Sequence, residues 1–411
     1  MQSRLSQGTI ARLVLAAVLS GAGVVEAQVK IRSDGSSLEI KLPAPRETLL
    51  PSGGIEVPMM RFQNLPYIEA MINNQGPYRF VVDTGAPLLC VNASVANELK
   101  LPSPAAGIAG GAGVRLKSPG GAGLSATPCV VDSLKIGDAE FRAVQALASD
   151  SPFLNDFDGV LGLAVFQDCL LTFDYPAGKL RLTRGELPPS DGGEVLDYAV
   201  QRGKLVLPVT INQRAYEFVL DTGSSLWFKF PAAVSQNCAY LHGPVETSKA
   251  RTVDREILIR TAKIDGNLQV GRHIFERPYG AVEDERDLAA IGSGALDDFV
   301  LTLDQQNKRL RLDRAREEAI VPPAFRVFGF GMRRSGDEIK IDYVIPKSPA
   351  EQVGLKEGDH VLALADKPIE EIHGNPILKE LAKKDSVKVR YIPANEAQPR
   401  EIEVPIMVLI P

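Results

Sequence analysis

Two runs of the chain share one pattern of apolar and polar positions. Tyr78-Arg79-Phe80-Val81-Val82 and Tyr216-Glu217-Phe218-Val219-Leu220 are both strand-like, and both run straight into Asp-Thr-Gly, at Asp83 and at Asp221. Tyr, Phe and Val recur 138 residues apart. One Asp-Thr-Gly is a weak signal, because Asp and Gly are common in turns. Two copies at the ends of matching strands are a strong one.

The repetition continues downstream. Leu161-Gly162-Leu163 leads to Leu171-Thr172-Phe173-Asp174 and Lys179-Leu180-Arg181-Leu182. Its counterpart is Ile291-Gly292-Ser293, Leu301-Thr302-Leu303-Asp304 and Arg309-Leu310-Arg311-Leu312. Here the spacing is 130, so the first unit is 8 residues longer between its landmarks. Short alternating stretches broken by Gly and Pro predict β-rich units, each closing with a short helix and a hairpin. Before them, residues 28–57 alternate around Pro43, Pro45 and Pro51 and predict an extended arm.

After Pro322-Pro323 the pattern changes. Phe328-Gly329-Phe330-Gly331-Met332 precedes a predicted strand over Ile339–Ile345. Ser348-Pro349-Ala350, Gly354-Leu355 and Gly358-Asp359 follow, then a helix over Asn375–Lys384 and strands over Val387–Ile392 and Glu401–Ile406.

The duplicated region resembles the aspartic peptidases. Strand, Asp-Thr-Gly, a long β segment, two apolar residues with Gly (Val160-Leu161-Gly162; Ala290-Ile291-Gly292), then a short helix is their half-molecule pattern. The compact units look more like retroviral-type peptidases than large pepsins, with both halves fused in one chain. The resemblance implies a mainly β, two-lobed, pseudo-symmetric fold, with lobes over 58–188 and 189–318. It implies a catalytic pair, Asp83 and Asp221, supported by Thr84, Gly85, Thr222, Gly223 and Ser224. Carboxylates this close share one proton, as in the aspartic-protease dyad that is the general example of such coupling. The ionised member takes a proton from water and the protonated one polarises the substrate carbonyl. Thr84 and Thr222 would bond across the axis. Ser224, which the first copy replaces with Ala86, would hydrogen-bond Asp221 and leave the proton on Asp83.

A substrate-covering flap is expected over Gly107–Gly123, with Gly110, Gly111 and Gly113 as its mobile positions. The pepsin-type flap tyrosine is missing, since no Tyr lies between Asp83 and Tyr175. The matching stretch Glu246–Lys263 is charged and poor in Gly. Trp227 and Phe228 are expected in the core.

Residues 325–411 resemble a PDZ domain of the bacterial type. The resemblance implies that Gly329-Phe330-Gly331-Met332 binds a peptide carboxylate while the peptide adds a strand. A module that packs on the peptidase or mediates self-association is the alternative.

Composition then narrows the setting. With 45% hydrophobic and 24% charged residues and a formal charge of −5, nothing points to nucleic acid or an anionic membrane. Arg4 and Arg12, the apolar run Leu13–Val25 and Val25-Glu26-Ala27 predict a signal segment over 1–27 and export to a periplasmic or extracellular space. No membrane span is expected once it is removed. Cys90, Cys129, Cys169 and Cys238 are expected as small buried residues or one structural bridge. His242, His273, His360 and His373 lack ligand spacing, so neither metal nor cofactor is expected. The function expected is peptide-bond hydrolysis. The rivals are a catalytically silent scaffold that binds peptides through the PDZ domain, and lobes that each pair with a twin in another chain.

Overall fold

The structure, a computed structural model, describes residues 44–103, 114–116, 123–201, 203–251, 256–283 and 288–411. It is mainly β, with 54% of the described residues in strands. The signal segment, most of the expected arm and Gly110, Gly111 and Gly113 lie outside the described residues.

Each repeat unit builds its own sheet around the strand that ends in Asp-Thr-Gly. In the first lobe, Gln75–Asp83 lies between the antiparallel strand Leu65–Ile72 and the parallel strand Gly159–Gly162. In the second, Arg214–Asp221 lies between Lys204–Ile211 and Ala289–Gly292 in the same two senses. Phe80 and Phe218 are fully buried from matching positions on these strands. The alternation that marked the strands therefore buries the same face twice.

A third sheet joins the lobes. Its strands run Val195–Asp197, Arg309–Arg314, Phe299–Asp304, Leu170–Asp174, Lys179–Thr183 and Ile55–Pro58. At its centre Thr172 pairs with Thr302, their hydroxyl oxygens 3.0 Å apart, and the pseudo-two-fold axis passes between them. The end of the expected arm is part of these sheets. Glu47–Leu49 pairs with the first-lobe strand Ala139–Ser149, and Ile55–Pro58 edges the joining sheet.

The C-terminal unit has its own core of Phe330, Ile339, Ile341, Leu355, Val361, Leu364, Val387 and Val389 among others. Five strands lie in the order Phe330–Ser335, Glu338–Val344, His360–Leu364, Ser386–Ile392 and Arg400–Pro405, with Lys367–Pro368 paired to the middle one. The expected helix is the shorter segment Ile377–Leu381. Phe325–Val327 and Met407–Ile410 pair separately and close the unit at its ends.

This unit packs on both lobes. Phe62, on a first-lobe hairpin, meets the His373 ring edge-on at 5.5 Å, and Gln63 N–H donates to the Gly374 carbonyl at 2.8 Å. The second-lobe hairpin Tyr240–Arg251/Glu256–Ile264 lies against the strands Phe330–Ser335 and Glu338–Val344. There Lys249 donates to Glu357 at 2.9 Å and to the Asp342 carbonyl at 3.1 Å, Tyr343 donates to Glu246 at 3.0 Å, and Arg333 pairs with Glu256. The charges of the stretch Glu246–Lys263 thus serve a contact within the molecule.

Candidate active site

The two Asp-Thr-Gly turns meet at the axis, and their threonines interlock. Thr84 N–H donates to Thr222 Oγ1 at 2.9 Å, and Thr222 N–H donates to Thr84 Oγ1 at 3.0 Å. Each hydroxyl passes its own proton on, Thr84 to the Leu220 carbonyl and Thr222 to the Val82 carbonyl, both at 2.7 Å. All four bonds are buried. Such a reciprocal set closes only when the turns are related by two-fold symmetry, and breaking one bond strands a buried partner.

Beneath each turn a chain segment approaches too closely for a side chain. Gly162 pairs with Asp83 and Gly292 with Asp221 in the same parallel register. A Cβ at Gly162 would lie 2.3 Å from the Leu88 carbonyl oxygen, and one at Gly292 would lie 2.1 Å from that of Leu226. The apolar-apolar-Gly element is thus a steric requirement, met twice. The backbone of Ser224 is fixed there too, its carbonyl accepting from the N–H and the hydroxyl of Ser293, both at 2.8 Å.

The carboxylates face one another from within this frame, both essentially buried. Asp83 Oδ1 accepts two backbone N–H bonds, from Gly85 at 2.7 Å and, across the axis, from Gly223 at 3.1 Å. A Cβ on Gly223 would fall 2.2–2.5 Å from the Asp83 carboxyl atoms, so only glycine lets the second turn reach this group. Burial, and then the charge of Asp221, push the Asp83 carboxyl up to about 7 against the pull of those two N–H groups and of Lys229.

Asp221 is held differently. Among the described residues its Oδ1 is buried without a partner, while Oδ2 lies 3.4 Å from the ammonium of Lys229. The bond expected from the Ser224 hydroxyl is absent, and the cation stands in its stead. Lys229 was not singled out from the sequence. Its signal was there, as the one charge in the aromatic run Trp227-Phe228-Lys229-Phe230. Phe228 is fully buried, and Trp227 packs against Phe275 and Tyr279, as expected of core residues.

The other expected sites lie elsewhere. Of the stretch expected to form a flap, the described strand is Val114–Leu116, paired with the start of Leu124–Ile136. Gly329, at φ +82°, precedes the edge strand Phe330–Ser335, in which Gly331 and Met332 register against Tyr343 and Ile341. All four cysteines are free thiols, three of them buried. Among the described residues no cluster of His, Cys, Asp and Glu could hold a metal ion, and no helix is long and apolar enough to cross a membrane.

A search of curated proteins finds no match. Residues 68–165 match the model of a family described as aspartyl protease. That segment runs from within the strand Leu65–Ile72, through Asp83-Thr84-Gly85 and Gly162, to the short helix Leu163–Phe166; the second Asp-Thr-Gly lies beyond it. The first repeat unit is therefore aspartic-peptidase-like in sequence, and the second repeats its geometry around Asp221.

Proposed function

We propose that this chain is a single-chain aspartic-type peptidase in which Asp83 and Asp221 together activate water for peptide-bond hydrolysis. The observation that carries the reading is the reciprocal Thr84–Thr222 exchange, which brings Gly223 of one turn onto the Asp83 carboxylate of the other. Two buried carboxylates facing one another are costly, and a scaffold has no use for them. The ionised carboxylate takes a proton from water as it attacks the scissile carbonyl. The protonated one donates to the carbonyl oxygen, and the proton on the base then goes to the leaving nitrogen. No covalent intermediate is needed.

The C-terminal unit we read as a PDZ domain that takes peptide C-termini beside the strand Phe330–Ser335. The strand's position at a sheet edge and the left-handed backbone at Gly329 support this. The basic, apolar segment at residues 1–27 supports export.

The test is cleavage of an unfolded protein by the chain from Gln28, from acid to neutral pH, beside Asp83→Asn and Asp221→Asn. Each variant should lose at least ~100-fold in kcat, since general acid–base catalysis contributes about that much or more. Retained cleavage in either variant would refute a shared pair. No cleavage by any form, with a peptide C-terminus bound by the folded chain, would make this a binding protein.

A further inference from the structure

The two halves of the site match position by position until a charge breaks the match. After each Asp-Thr-Gly turn a short strand, Leu89–Asn92 or Phe228–Phe230, runs antiparallel to the strand that carries the buried glycine. Val160 pairs with Cys90, and its counterpart Ala290 pairs with Lys229. Lys229 therefore occupies the place that the first lobe gives to a buried thiol. Its side chain is 11% exposed, between the fully buried Phe228 and Phe230, and its ion pair is with Asp221.

We propose that Lys229 is a positioning residue that fixes the single negative charge of the pair on Asp221 and the shared proton on Asp83. The proposal rests on the reading of this pair as catalytic and assigns the two carboxylates unequal roles. A buried ammonium is tolerable only beside an anion, and Asp221 is the carboxylate within reach. Asp83 has neutral donors only, and both go to the same oxygen, Oδ1. That suits a carboxylic acid whose Oδ1 is the carbonyl oxygen and whose Oδ2 carries the proton. Asp83 and Lys229 are the charged groups facing Asp221. Thr84, Thr222, Ser224 and Ser293, from the turns and the strand end packed against it, are uncharged.

With the cation removed, the pair gives up its first proton less readily, so the acid limb of the pH–rate profile moves up. The test compares full-length wild type, Lys229→Met and Lys229→Arg in kcat/KM against pH. Alongside it, 13C NMR titrates labelled Asp carboxyls, assigned with Asp83→Asn and Asp221→Asn. The expected result is an acid limb raised by about one pH unit in Lys229→Met and restored in Lys229→Arg, with Asp221 as the lower-titrating carboxyl of the pair. A limb and an Asp221 titration both unmoved in folded Lys229→Met would overturn the proposal. So would Asp83 titrating first in the wild type. Should Lys229→Met not fold, Lys229→Gln takes its place. A wild type that cleaves nothing would sink the peptidase reading alone, because the carboxyl titration would still decide where the charge lies.

Discussion

Asp83 is a liability to the fold that carries it. Its carboxyl, ordinarily near 3.8, is raised to about 7 by burial and by Asp221. The folded chain therefore holds a proton that the unfolded chain releases. Stability tied to this group is complete at pH below about 4 and is lost as pH rises toward 7. Asp83→Asn keeps an acceptor for Gly85 and Gly223 and needs no proton. At pH 8 it should be more stable than wild type by up to about 4 kcal/mol, since the rise spans roughly three tenfold steps in proton affinity and each is worth about 1.4 kcal/mol. The gap in melting temperature should close near pH 4. Equal melting curves at both pH values would contradict this. At this scale the sequence was legible where chemistry repeats. Both Asp, both Thr and both Gly could be read from their second occurrence. Lys229 occurs once, opposite Cys90, and repetition is blind to an unmatched residue. The bond expected of Ser224 failed for a related reason: a side chain's direction is set by packing that the motif does not describe.

Among the elements, the first-lobe hairpin around Phe62-Gln63-Asn64 joins every part of the molecule. Arg61 pairs with Asp297 at 2.8 Å, Asn64 donates to the Ser225 carbonyl at 2.8 Å, and Phe62 rests on His373 and Phe157. Gly374 faces the Phe62 ring so closely that a Cβ would lie 2.0 Å from it. His373 is buried, and burial lowers its pKa; Asp156 and a contact with the Met332 backbone too poor in geometry to count as a full hydrogen bond oppose the shift, and Arg334 adds to it. A histidine with a depressed pKa contributes stability that is present above about pH 6.5 and lost as pH falls through its folded value. Acidification from pH 7.5 to 5.5 should loosen this contact, read as faster hydrogen exchange in segments 60–65 and 369–381 after correction for intrinsic rates. His373→Phe should abolish the pH effect. The β character of the repeat units was readable from alternation, and so, to within a residue, were the C-terminal strands Glu338–Val344, Ser386–Ile392 and Arg400–Pro405; the strand Phe330–Ser335 was not, since Gly329–Met332 was expected as a loop. The hairpin's partners were not, because its contacts join residues up to 311 positions apart, Phe62 with His373 and Gln63 with Gly374, through turn geometry rather than pattern.

For the whole molecule, the informative feature is how unequally the C-terminal unit meets the two lobes. It touches the first through the Phe62 hairpin and holds the second-lobe hairpin through Lys249, Glu246 and Glu256. Such exposed and half-buried pairs are worth about 0–1 kcal/mol each, and the ring of Phe325 adds an apolar contact with Tyr279 of the same lobe. Lys249→Ala with Arg333→Ala should raise the hydrogen-exchange rate of Tyr240–Ile264 by roughly tenfold, the effect expected of losing about 1.4 kcal/mol, with the melting temperature little changed. Unchanged exchange would mean that apolar packing holds the hairpin. The joining sheet, meanwhile, sets three strands of one unit beside three from the other, so that the two units of this chain supply both halves of the site. A peptidase assembled from two identical chains must spell every residue twice: a lysine beside one aspartate would bring a lysine beside the other. Writing both halves into a single chain releases that constraint, and a lone cation can then distinguish the carboxylate that gives a proton from the one that takes it.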